Sequence, residues 1–168
     1  MVKIGIKVDE TLKNYYSSVH LGKLKGFKFT IEGSRCIVDE RSILQKDHET
    51  PFQTLVLNDL DNAETCFIAV NISFRNTEGR HINKTMLFIW CGDEATIRQK
   101  MVLASSVAGI KTSLAVQEGC CVEIHGRDEQ CVNSVFDKII GKRAKPAVFE
   151  TRPITYNPDN RIYSFADV

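Results

Sequence analysis

Four histidines and six cysteines are the side chains most able to carry catalysis or hold a metal in this chain. His20, His48, His81 and His125 stand apart from one another, and none pairs with a cysteine or carboxylate at a metal-ligand spacing. Cys36, Cys66, Cys91, Cys120, Cys121 and Cys131 contain no Cys-x-x-Cys. Cys120-Cys121 is a vicinal pair that a redox enzyme could use, but adjacent thiols in a strand fill space as small apolar residues. The paired carboxylates Asp59/Asp61 and Asp93/Glu94 fall at expected helix ends and turns, where capping explains them. No nucleophile elbow, phosphate-binding loop or dinucleotide fingerprint occurs. The residues point to no covalent chemistry, no metal and no cofactor.

The elements that would position a binding surface follow from periodicity and punctuation. Residues 9–21 predict a helix with Leu12, Tyr16 and Val19 on one face, Asp9 as N-cap and Gly22 as its stop. Strands are expected at 27–31 and 36–39 around Glu32-Gly33-Ser34, the first half-buried through its alternation of Phe27, Phe29 and Ile31 with Lys28 and Thr30. Thr50-Pro51 predicts the start of a second helix, with Phe52, Leu55, Val56 and Leu60 inward. The apolar runs 66–74 and 85–90 predict central strands covered on both faces, joined by an exposed loop over 75–84. A long helix is expected from Glu94 to about Leu114, capped by Asp93, with Ile97, Met101, Ala104, Ala108 and Ile110 as its apolar stripe. A strand near 120–125, a helix over 128–140 stopped by Gly141 and a strand near 147–150 complete an α/β (α+β) arrangement, a single domain with a mixed sheet flanked by helices.

Composition bounds the partners. The 168 residues are 43% hydrophobic, enough for one packed domain. Lys+Arg number 22 and Asp+Glu 21, a net charge of +1, so bulk attraction to nucleic acid or to an anionic membrane is not the dominant feature. No apolar run reaches the length of a membrane span, and Lys3, Lys7 and Asp9 break any signal-peptide core in the first ten residues. The expectation is a cytoplasmic monomer with reduced cysteines.

The stretch WCGDEATIRQKMVLASSVAGIKTSL at 90–114 strongly resembles the signature helix of the actin-depolymerising factor (ADF)/cofilin family, whose Lys-x-Lys-Met and Tyr-Ala-Ser-Ser appear here as Arg98-Gln99-Lys100-Met101 and Leu103-Ala104-Ser105-Ser106. GIKVDE at 5–10, LGK at 21–23, CFIAVNISF at 66–74 and AVFETRPI at 147–154 resemble further segments in the same order, so the resemblance covers roughly residues 4–154. It implies an ADF-homology domain over 1–154, with a five- or six-stranded mixed sheet between helices, and an appended tail at 155–168, for which disorder is the default. It implies binding to monomeric actin, ADP form preferred, and to filaments, which family members twist until they sever or depolymerise. Members of the family are cytoskeletal proteins of the cytoplasm.

Carried over residue by residue, the resemblance places monomer contact at Lys3, Ile4, Gly5, Arg98, Lys100, Met101, Ser105 and Ser106. Filament contact falls on Arg80, His81, Lys84 and Lys138, and phosphoinositide contact on Lys111, Arg98 and Lys100. From spacing alone two readings of the helix stand: Met101 in the core with Arg98 and Lys100 as solvated charges, or Met101 between two cations on a docking face. Ile4 stands where many members carry a phosphorylated Ser, so that switch is expected to be absent. Gly92 replaces the family's turn Pro and is expected to loosen the start of the helix, and the basic insert between Lys25 and Phe27 is missing. The alternatives are a regulator of the Arp2/3 complex resembling glia maturation factor and, more distantly, a thiol-dependent enzyme using Cys120-Cys121.

Overall fold

The computed structural model describes residues 6–58, 60–126, 128–141 and 146–165. Helix α1 (Glu10–His20) begins where Asp9 accepts a hydrogen bond from the Leu12 N–H at 2.9 Å, and Gly22, at φ +78°, turns the chain out of it. Leu12, Tyr16 and Val19 are its buried face, as their spacing predicts.

Strands β1 (Leu24–Glu32) and β2 (Arg35–Gln45) form an antiparallel hairpin longer than the sequence suggested. The half-buried alternation expected of β1 is corrected. Lys28 is 8% exposed between buried Phe27 and Phe29. Its ammonium lies 3.9 Å from Glu64, and its N–H donates to Ser42 Oγ at 2.7 Å. Pairing on both edges makes β1 an interior strand, and a lysine there is tolerated because charge and backbone both find partners.

The segment after Thr50-Pro51 forms a short π-helical turn, Gln53–Leu57, burying Phe52, Leu55, Val56 and Leu60 as expected. Strands β3 (Thr65–Asn76) and β4 (His81–Cys91) pair along their whole length. The expected loop over 75–84 is therefore mostly strand, leaving residues 77–80 as the turn. After α2 (Ile97–Ser113), β5 (Cys121–Ile124) pairs parallel to β4. Helix α3 (Glu129–Ile140) is capped by Asp128, whose carboxylate accepts from the Cys131 N–H at 2.9 Å, and it stops at Gly141.

The result is the expected mixed sheet between helices. Its central order is β2-β1-β3-β4-β5, and β6 (Pro146–Phe149) pairs with the far end of β3 on the edge that β1 uses nearer the start. The tail continues it. β7 (Arg152–Asn157) pairs with β6, and β8 (Ile162–Phe165) pairs with β7, extending the sheet to eight strands among the described residues.

One face of the sheet packs α1 and α2 over Phe27, Phe29, Phe67 and Leu87. The other packs α3 and the π-helical turn over Phe74, Phe88 and Trp90. There Phe52 sits 5.4–5.5 Å from Phe88, Phe136 and Phe149, an aromatic cluster that the tail joins through Phe165.

Glu150 fastens the two ends of this half. It is a left-handed residue at φ +54° in the β6–β7 turn, and its N–H donates to Ser73 O at 2.8 Å. Its carboxylate accepts from the Phe52 and Gln53 backbone N–H groups at 3.0 and 3.1 Å and from Gln53 Nε2 at 3.1 Å. Burial pushes this carboxyl up to about 7 from its ordinary 4.5, against the pull of those donors and of Lys25.

Candidate functional site

The end of β4 and the start of α2 are pinned by backbone contacts. Trp90 is fully buried, and its indole Nε1 donates to Asp61 O at 2.8 Å. The Gly92 N–H donates to Glu64 O at 3.0 Å and the Glu94 N–H to Asn62 O at 2.8 Å. A Cβ at Gly92 would lie 2.1 Å from Asn62 O, so only glycine fits. This corrects the expectation of a loosened connection: the missing side chain lets two backbone segments touch.

Asp93 is not the cap. Thr96 is, through a capping box in which Gln99 N–H donates to Thr96 Oγ1 at 3.1 Å and Thr96 N–H to Gln99 Oε1 at 2.8 Å. The helix consequently begins at Ile97, three residues later than its composition suggested.

This start sets which face meets the sheet. Leu103, Ser106, Ile110 and Leu114 are buried, with Val102 and Val107 half-buried beside them. Of the expected apolar stripe only Ile110 is buried, so the reading that puts Met101 in the core fails. Ile97 is 79% and Met101 67% exposed, and Ala104 and Ala108 are exposed as well. Spaced i, i+4, i+7 and i+11, these four form a ridge roughly 16 Å long on the outer face. By the same helical geometry Lys100 and Lys111 flank the ridge on one side and Arg98 and Ser105 on the other, all four exposed. An apolar ridge with cationic flanks suits an apolar cleft with an acidic rim.

The other expected residues divide. Ser106 is 1% exposed, and its hydroxyl donates to Leu103 O at 2.8 Å, so it is a small core residue rather than a contact. Ser105 is exposed with its hydroxyl turned back on Val102 O at 3.0 Å. The Lys100 ammonium reaches back to Asp93 O at 3.3 Å. Lys3, Ile4 and Gly5 lie outside the described residues. Arg80 is exposed in the β3–β4 turn, and His81 is exposed at the first position of β4 rather than in the loop.

Lys84 is corrected. It lies inside β4, half-buried, with Nζ 2.6 Å from Ile139 O and 5.9 Å from the Phe74 ring centre. It satisfies a carbonyl in the last turn of α3 and stays out of the outer surface. Lys138 is exposed on α3. Ile97, Ala104 and Ala108 are surface residues that sequence reasoning put on the apolar stripe but did not name as contacts; a second stripe, Leu103-Ile110-Leu114, was the signal that the helix has two apolar faces. For the vicinal thiols, burial pushes Cys121 up, the direction opposite to that of an activated nucleophile.

Comparison with known proteins gives the family and the fold. The family described as cofilin/tropomyosin-type actin-binding protein matches residues 5–138. The chain is similar to the cofilin of Kluyveromyces lactis, 28% identical over 146 residues that cover 83% of this chain and 95% of that one. It is also similar to the twinfilin of Drosophila melanogaster, 30% identical over 108 residues, 64% of this chain but only 31% of the twinfilin. The chain thus spans about a third of the length of the twinfilins it matches.

Among solved structures, Streptomyces griseoflavus cofilin superposes with a TM-score of 0.62 at 24% identity, covering 82% of this chain and all of that one. The ADF-like UNC-60A protein of Caenorhabditis elegans gives 0.58 at 20% identity, covering 80% and 94%. These two share the fold. With the family match running from the first helix to the last and the signature helix bearing its exposed ridge, the chain belongs to the ADF/cofilin family of actin-binding proteins.

Proposed function

We propose that this chain binds actin monomers, preferring the ADP form, and actin filaments, and that it speeds filament turnover by severing or depolymerising them in the cytoplasm. The single observation that carries this reading is the water-facing ridge Ile97-Met101-Ala104-Ala108 on α2. Leaving two large apolar side chains in water forgoes roughly 1.5–3 kcal/mol each, which a docking cleft recovers. Arg98 and Lys100, with Ser105, give that docking its polar rim, and Lys3, Ile4 and Gly5 complete the proposed monomer contact. Arg80, His81 and Lys138 form the proposed filament side.

No bond is made or broken. A ligand that binds the twisted filament more tightly than the relaxed one shifts the population toward twist, and the strained lattice breaks. Lys111 and Lys100 on one flank, with Arg98 on the other, are the proposed phosphoinositide contact, a weak one because the ridge separates them.

The test is co-sedimentation with filamentous actin over a range of chain concentrations, with a parallel monomer-binding measurement. Actin released to the supernatant while some chain pellets is the expected result. Pelleting without release would replace turnover by decoration. Binding to neither actin form would overturn the reading and send the search to the Arp2/3 complex.

A further inference from the structure

A cavity of about 580 Å³ opens between the C-terminal ends of α1 and α2, over the sheet, and its size is that of a small-molecule site. Asn71 and Thr85, cross-strand partners on β3 and β4, form its floor. Tyr16 and Leu114 are its apolar walls, and Ser17 and Gln117 lie on its exposed rim. None of the four ridge residues of α2 lines it.

Two buried polar groups are unmet there. Asn71 is 7% exposed, and its Nδ2 donates to Val19 O at 2.9 Å. A carbonyl can only accept, so that bond fixes which way the amide points and leaves Oδ1 without a hydrogen-bond partner among the described residues. Tyr16 is 8% exposed, and its hydroxyl finds no hydrogen bond among the described residues either. Tyr16 and Val19 stand at i, i+3 on α1, so hydroxyl and amide oxygen belong to one patch of the wall. Burial, with Cys120 and Cys121 nearby, pushes the hydroxyl up to about 12, and it stays a protonated donor at physiological pH.

Charge limits what can enter. Among the described residues no Asp or Glu lines the cavity, so a cation would lack a counter-charge. Two helices end at it, and the partial negative charge of their last carbonyls disfavours an anion. Lys13 faces Glu10 at 3.7 Å, and Lys84 Nζ is held by Ile139 O at 2.6 Å. The fitting occupant is neutral.

We infer that this cavity binds a neutral nucleobase or nucleoside, whose N–H donates to Asn71 Oδ1 while an adjacent ring nitrogen or carbonyl accepts from the Tyr16 hydroxyl. The edge of a base carries donor and acceptor side by side, the complement of this pair, and its faces pack on Leu114 and the Tyr16 ring. A polyol meets the polar pair but leaves the apolar walls uncovered. The inference is independent of the actin reading.

The test is titration of the full chain with adenosine and with inosine, followed by calorimetry and by the nuclear magnetic resonance signal of the Asn71 side-chain amide. At least one nucleoside should shift that signal in a saturable way. Tyr16→Phe keeps the ring and should weaken binding about three- to tenfold. Ser17→Trp, at the exposed rim, should block it, and neither variant should lower the thermal midpoint. No saturable shift with either nucleoside overturns the inference and leaves the cavity to water. Undiminished binding by both variants places the nucleoside elsewhere and overturns it too, as does myo-inositol binding as tightly as the nucleosides. Whether the parent binds actin bears on none of these outcomes.

Discussion

Met101 holds its thioether in water on a helix whose buried side is complete without it. Met101→Glu should therefore leave the folding transition within about 0.5 kcal/mol of the parent, the usual range for surface changes. The same change should weaken monomer binding by tenfold or more, about 1.4 kcal/mol or above, measurable by fluorescence titration. Leu103→Ala, two positions on and buried, should do the reverse. Urea unfolding should show a loss of about 2–4 kcal/mol, with binding per folded molecule retained. The pair separates contact from core on one helix. From sequence, the family resemblance named Arg98, Lys100 and Met101, but spacing did not say which apolar stripe faced the sheet. Five apolar residues at helical spacing fit either side, and only the capping box at Thr96 and the pinned connection set the rotation.

At the scale of elements, the tightest constraint lies at Gly92. Its neighbour Asn62 O belongs to backbone already bonded to Glu94, so it cannot swing aside as a side chain would. Gly92→Ala should cost several kcal/mol in chemical unfolding, more than the roughly 1 kcal/mol expected from removing the cap with Thr96→Ala. Equal small losses for the two would show that the connection yields. Helices and central strands were legible in the sequence because their buried positions recur at 3.6 or in unbroken apolar runs. The outer half of the β3–β4 hairpin was not. His81, Asn83 and Lys84 look like loop residues, yet they pair in full register with β3, with His81 and Asn83 facing water and Lys84 reaching the end of α3. The tail likewise read as a chain end, through Pro158, Asp159 and Asn160. Those residues make a turn, and the strands on either side hold Ile154 and Phe165 in contact with the core.

For the molecule as a whole, Glu150 links stability to pH. Its carboxyl binds a proton more tightly in the fold than in the unfolded chain, where it titrates near 4.5. Its contribution is complete below about pH 4.5 and is lost as the pH rises through about 7, by about 3 kcal/mol at most. Urea unfolding at pH 5 and pH 8 should show the parent losing more stability over that interval than Glu150→Gln, whose side chain does not titrate. Equal losses would mean that the three N–H donors hold the carboxylate charged throughout. The architecture was readable from sequence at this scale, because alternating apolar strands and amphipathic helices leave few arrangements. The Glu150 clamp was not, since no local pattern announces a contact made 98 positions away.

That distance sets an order of events during synthesis. Phe52 and Gln53 emerge from the ribosome long before the carboxylate that ties down their backbone. Until position 150 follows, the start of the π-helical turn lacks its clamp, and Phe52 lacks Phe136 and Phe149 to pack against. One wall of the core must therefore wait, apolar and open, through most of translation. A nascent chain stalled in that interval is the form most in need of a chaperone.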